Sequence, residues 1–136
     1  MEEARTYLTK AVESLTSARI DCAAARDNSC ANRAYYAWFQ AALAALLAAG
    51  IRPASPRGEW RHACVQSQLN GLLIIRRKRY PAALRRVLRD TMAVREKADD
   101  TPASVSARVA SRVLRAAQAF VQAIRRYDDR EQPEDA

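Results

Sequence analysis

The sequence predicts an all-α protein, an up-and-down bundle of about five helices. Three observations carry that prediction. Alanine, leucine and arginine dominate the chain of 136 residues, and all three rank high in helix propensity. Only 3 glycines and 5 prolines interrupt them. Apolar residues recur at helical spacing, with no sustained strand-like alternation. A chain of this length suits one domain, which buries roughly 65–70% of the surface its unfolded form exposes. That domain is expected over residues 1–127, with residues 128–136 as an acidic, disordered tail.

Taken in order, the first helix is expected from residue 2 to about 26. Leu8, Ala11, Val12, Leu15, Ala18 and Ala23 favour one of its faces. The "DNS" at 27–29 supplies N-cap chemistry for a second helix, which runs to Gly50, a natural C-cap residue. That helix begins with "NRAYYAWFQ" and continues almost entirely in alanine and leucine. "IRPASPRG", 51–58, reads as a loop because two prolines and a glycine resist helix. A third helix follows over about 59–75, weakened by Gly71. Pro81 fits the first turn of a fourth, ending near Ala98, and "DDTP" caps a fifth over about 103–127. The closing "DDREQPEDA" should fray. There are no internal repeats.

Helical angles show which polar residues fall on apolar faces. With Leu84 set at zero, Leu88, Thr91, Val87 and Ala98 form a stripe, and Arg95 falls inside it at roughly 20°. Arg85, Arg86 and Arg89 project instead onto a solvated face, roughly 100–200° round. A guanidinium stays charged and is costly to desolvate, so Arg95 must be paired, snorkel past the core or line a crevice. The second helix repeats the pattern, since Asn32 shares a face with Tyr35, Phe39, Leu43 and Leu46. Two apolar faces, each with one polar residue, suggest a small polar crevice where they converge. Trp38 and Phe39 are read as core, and buried tyrosine hydroxyls need partners. In the fifth helix Val109, Val113, Ala116, Phe120, Ile124 and Tyr127 make the core stripe, with Arg108, Arg112 and Arg115 opposite.

The formal net charge of +8 is unevenly spread. Residues 52–97 hold 12 of the 23 basic side chains and 3 of the 15 acidic ones. The densest point is "RRKRY", 76–80, followed by Arg85, Arg86 and Arg89. Such a patch attracts polyanions, nucleic acid phosphates above all. A solvated helix face and an acidic protein partner are the competing readings. No helix-turn-helix pattern is clear enough to support a DNA-binding module.

Cys22, Cys30 and Cys64 lack CxxC spacing and share the chain with one histidine, so they support neither a disulfide framework nor a zinc site. No metal or cofactor is expected. The acidic start carries no secretory signal, and the most apolar run, 37–49, is too short to span a bilayer. A cytoplasmic protein without membrane contact is expected.

Three stretches together resemble a prokaryotic HEPN-domain protein: "YLTKAVESLTSAR" at 7–19, "NRAYYAWFQAALAALLAAGI" at 32–51 and "REKADD" at 95–100. The resemblance covers about residues 5–127. It implies a helical bundle, usually homodimeric and often encoded beside a minimal nucleotidyltransferase in a toxin-antitoxin or defence module. Many such proteins are metal-independent ribonucleases whose dimer joins two copies of an arginine followed, a few residues on, by a histidine. Arg95 matches that arginine in position and in the face it occupies. The histidine is missing, because Asp100, Thr101 and Pro102 stand there. Asp100 also replaces a tyrosine common in relatives, and Phe39-Gln40 stands where they often read "FH".

Self-cleavage of RNA through its 2′-hydroxyl needs a proton carrier near neutral pH, the role histidine fills. Arginine alone binds phosphate and stabilises developing charge. The one histidine, His62, lies on another helix. The expectation is an RNA-directed protein, leaning towards a catalytically degenerate one. Arg95 would contact phosphate, and His62 would be the only histidine available for catalysis. Asn32, Arg33, Tyr36, Arg76, Arg77, Lys78 and Arg79 are the candidate RNA contacts. Asp99 and Asp100 read as helix-end residues or partners for Arg95. The alternative is a non-catalytic dimeric scaffold that binds a nucleotidyltransferase or another protein.

Overall fold

The second helix lies at the centre of the bundle because its sequence leaves it almost no polar face. The computed structural model describes residues 2–52 and 62–131, without the side chains of residues 62, 63, 87, 88 and 129–131. Among them the elements are α1 (Glu2–Ala23), α2 (Asp27–Ala48), α3 (His62–Gln68), a π-helix (Leu69–Arg76) continuing α3, α4 (Leu84–Asp100) and α5 (Ala107–Glu131). All regular structure in the described residues is helical, as predicted. Fourteen of the 22 residues of α2 are buried, seven of them alanines. Small side chains let α1, α5, α4 and α3 all pack against it.

Several boundaries and caps differ from the sequence reading. The first helix stops at Ala23, not near 26, and the chain turns through Ala25 at φ 59. The second starts at Asp27, so the "DNS" side chains do not cap it. Asn28 Oδ1 instead accepts from the Val105 amide at 2.8 Å, and Ser29 Oγ donates to Asp21 Oδ2 at 2.7 Å. Local capping chemistry has been taken over by long-range ties, which no local pattern announces. Gly50 does end the helix as expected. At φ 78 its amide reaches Leu47 O and the next amide, Ile51, reaches Leu46 O, the paired bonds of a Schellman motif. The expected loop over 53–58 and the expected start of the third helix at 59 lie outside the described residues.

From Leu69 onward, across Gly71, the winding of the third helix widens to i→i+5 bonding. Gln68 ties α3 back to the end of α2, its Nε2 donating to Arg52 O at 3.1 Å, while Arg52 pairs with Glu3 of α1 at 3.0 Å. Pro81 does not enter α4. It starts a tight turn in which the Leu84 amide donates to Pro81 O and the Arg85 amide to Ala82 O, both at 3.1 Å. The side chains of Val87 and Leu88, placed in the buried stripe by their angles, lie outside the described set; Leu84 and Thr91 are buried as that stripe requires.

A six-residue non-helical link, 101–106, precedes α5, so "DDTP" is not its cap. Ser106 is, its Oγ accepting from the Val109 amide at 3.2 Å. The buried side of α5 runs through Ala110, Val113, Ala117, Phe120, Val121 and Ile124. Val109 and Ala116, expected in the stripe, sit at its edge, while Arg108, Arg112 and Arg115 are exposed as expected. The helix continues to Glu131, past the expected end at 127. The start of the expected tail is therefore helical, and residues 132–136 lie outside the described set. We expect Ser106→Ala to lower stability by about 1 kcal/mol, read from urea unfolding. Thr101→Ala should cost less, and the reverse order would return the cap to "DDTP".

Burial pushes the Cys30 thiol up to about 12, helped by neighbouring Cys22, Asp21 and Asp27. Cys30 Sγ lies 3.8 Å from Ala110 O, at the α2–α5 contact. It packs as a small apolar group, as the sequence implied. No described helix is long and apolar enough to cross a membrane.

Candidate functional site

The two polar intrusions, Asn32 on α2 and Arg95 on α4, meet. Asn32 Nδ2 donates to Asp99 Oδ2 at 2.8 Å, and Arg95 Nη1 lies 3.5 Å from the same oxygen. The Arg95 guanidinium sits over the Tyr35 ring, 4.6 Å from its centroid, within range for a cation–π contact. Its Nε is buried and has no hydrogen-bond partner among the described residues. Arg95 and Asp99 are one helical turn apart, so helical geometry itself delivers the pair.

The unequal distances decide what this arrangement can do. A charge-assisted N–H···O bond normally closes to about 2.7–2.9 Å. Asp99 makes its short bond to the Asn32 amide and only a loose one to Arg95. The carboxylate is thus pinned by Asn32, and the arginine is held mainly by the ring beneath it. The side chain of Arg95 is 20% exposed, so it is not sealed inside the core. A planar, permanently charged donor on a rigid aromatic support is suited to grip an oxyanion.

The support is itself well anchored. Tyr35 is fully buried and meets Trp38 edge-on at 5.5 Å and Tyr36 edge-on at 5.4 Å. Trp38 meets Phe120 of α5 edge-on at 6.0 Å. Trp38 and Phe39 are core residues, as the sequence reading held. The polar opening of α2 therefore supplies the Asn32 contact to Asp99, and its aromatics are the foundation of the cluster.

The other sequence candidates are dispersed. Tyr36 is half-buried, its ring edge-on to that of Tyr35. Arg33 is exposed and faces α1, lining a shallow groove with Lys10, Glu13, Ser14 and Gln40. The Arg76–Arg79 cluster is not one free patch. Arg77 Nη1 donates to Ala49 O at 3.3 Å, helping close the end of α2. Arg79 lies over the Tyr127 ring, 4.9 Å from its centroid. Arg76 and Lys78 are exposed, Lys78 at φ 51. The backbone of His62 opens α3, and its side chain lies outside the described residues.

Two features escaped the sequence reading. Asn70, inside the apolar run "LNGLLII", has a buried Oδ1 without a partner among the described residues. It lines a groove with Arg85, Arg86 and Arg89. The signal available was an amide interrupting an apolar run, the same signal that marked Asn32.

Comparison with known proteins returns no match among curated proteins. A family model does match, that of the HEPN domain, over residues 4–127.

Proposed function

From the premise that the chain belongs to the HEPN-domain family, we propose that it binds RNA and holds a phosphate at Arg95. The observation that carries this is the guanidinium stacked on Tyr35 and only loosely paired with Asp99. A phosphate oxygen offers Arg95 a shorter, bidentate contact than Asp99 does. Asp99 keeps its short bond to Asn32 while that exchange takes place.

Binding is favoured over cleavage by the chemistry of the crevice. Arg95 is permanently protonated and Asn32 is an amide, so neither moves a proton at neutral pH. The sequence places no histidine after Arg95. Cleavage would have to bring His62 to the phosphate, from the same chain or a second copy. Domains of this family often dimerise, and a homodimer would set two Arg95 crevices in one assembly. A toxin-antitoxin or defence module, with a minimal nucleotidyltransferase as protein partner, is the setting we propose for it.

A second reading has its own observation in favour. Arg95 already has a carboxylate and an aromatic ring, so the cluster also works as a structural clasp between α2 and α4 in a scaffold that engages a protein.

One experiment separates the readings. Labelled single-stranded RNA is titrated with the protein at several salt concentrations, with chelator present, and the product is run on a denaturing gel. The expected result is intact RNA bound with an affinity that falls steeply as salt rises. Fragments formed in chelator would move the reading to metal-independent cleavage and point to His62. An absence of binding even at low salt would leave the scaffold. Light scattering on the same sample should report a dimer.

A further inference from the structure

Three described arginines of the basic middle that make no ion pair share a groove. Arg85, Arg86 and Arg89 are exposed on the first turns of α4. None of them is in an ion pair among the described residues, whose ion pairs are Arg52–Glu3 and Arg95–Asp99. The three line a groove of about 550 Å³, which among the described residues is also lined by Asn70, Ala82 and Ala83. The groove exists because the Pro81–Ala83 turn carries only small side chains between the π-helix and α4. Arg85 and Arg89 stand about 6 Å apart along the helix axis, and Arg95 lies about 15 Å beyond Arg85. The groove is therefore separate from the Arg95 crevice.

An RNA strand offers the complement of this wall at every nucleotide, a phosphate for each guanidinium group. At the adjoining end, Ile75 is 51% exposed beside Pro81 and Lys78, an apolar surface on which a base can rest.

We propose that the groove between the π-helix and the start of α4 is a docking site for the sugar–phosphate backbone of single-stranded RNA. This deepens the RNA-binding reading above and rests on it. It moves the docking surface from Arg76–Arg79, where two of the four side chains serve the fold, to Arg85, Arg86 and Arg89.

The test is a fluorescence-polarisation titration of the full chain with a labelled single-stranded RNA and with DNA of the same sequence. The triple variant Arg85→Ser, Arg86→Ser, Arg89→Ser is compared with Arg108→Ser, Arg112→Ser, Arg115→Ser, which removes the same charge from the exposed face of α5. Circular dichroism confirms that both fold. The groove triple should lose at least about tenfold in RNA affinity and about 2 from the log–log salt slope, since each phosphate contact to a single strand contributes about 0.7. The α5 triple should change both much less. Equal losses in the two triples, or DNA bound more tightly than RNA, overturns the groove assignment. Binding lost in Arg95→Ala but kept in the groove triple overturns it too, while leaving the Arg95 reading in place. A wild-type protein that ignores RNA but binds polyglutamate overturns both in favour of an acidic protein partner.

Discussion

Replacing Trp38 with alanine is expected to lower the unfolding free energy by about 3–5 kcal/mol. Trp38 is fully buried and joins α2 to α5 through its edge-on contact with Phe120, while Tyr35 and Phe39 close around it at 5.5 and 6.2 Å. Alanine would leave a cavity walled by rings that cannot collapse into it. A domain of this kind has roughly 5–15 kcal/mol to lose, so the variant should unfold at a much lower urea concentration with its m-value little changed. Trp38→Phe makes the comparison sharper. The indole Nε1 is buried without a partner among the described residues, and removing an unsatisfied donor recovers about 1–3 kcal/mol. That offsets part of the packing lost with the smaller ring, so phenylalanine should come close to wild type. An alanine variant within about 1.5 kcal/mol of wild type would show that the aromatic cluster does not hold the bundle together.

The second large effect concerns Arg95 and Asp99, whose substitutions should move RNA affinity in opposite directions. Arg95→Ala removes a charge-assisted contact of about 1.5–3 kcal/mol, roughly a tenfold to hundredfold weaker complex. If Arg95 holds a phosphate as proposed, Asp99→Ala removes a carboxylate that competes for the same guanidinium, so affinity should rise severalfold. Stability should fall modestly in both, since a partly exposed ion pair contributes about 0–1 kcal/mol. Asp99→Ala also deprives the Asn32 amide of its acceptor. Binding curves and urea unfolding on the same preparations read the two effects separately. Unchanged RNA affinity in both variants, with stability reduced, would make the cluster a structural clasp and remove Arg95 from the binding surface.

The parts of this fold that were legible in the sequence are those set by periodicity. Arg95 and Asn32 stood out because a charge or an amide on an apolar face must be answered by something, and the angle arithmetic alone located both. What they answer to was half visible. Asp99 lies one turn from Arg95 and was named as a possible partner, but the shared bond with Asn32 depends on how α2 and α4 cross. The errors cluster where tertiary contacts replaced local ones. Asn28 and Ser29 have cap chemistry and use it on Val105 and Asp21. Ser106 was hidden behind a more conspicuous "DDTP". The run "RRKRY" looked like one patch because composition cannot show that Arg77 would reach Ala49 O or that Arg79 would settle on Tyr127. Arg85, Arg86 and Arg89 belong to the basic patch and to a solvated face by sequence, but the groove they line is not legible there, since Asn70 joins it from a different helix.

The alanine-rich interior of α2 has a thermodynamic consequence of its own. Ordering a buried alanine side chain costs essentially no rotamer entropy, whereas methionine or glutamine costs on the order of 1.5–2 kcal/mol. With Ala31, Ala34, Ala37, Ala41, Ala42, Ala44 and Ala45 all in the interior, the central helix freezes on folding with few side-chain degrees of freedom left to lose. Each methyl also removes little apolar area from water, so most of the favourable transfer energy comes from a few large groups, Trp38, Tyr35, Phe120 and Leu46 among them. The bundle is thus entropically inexpensive and unevenly sensitive: truncating a large anchor is costly, and enlarging an alanine forces apart two helices that rest on it.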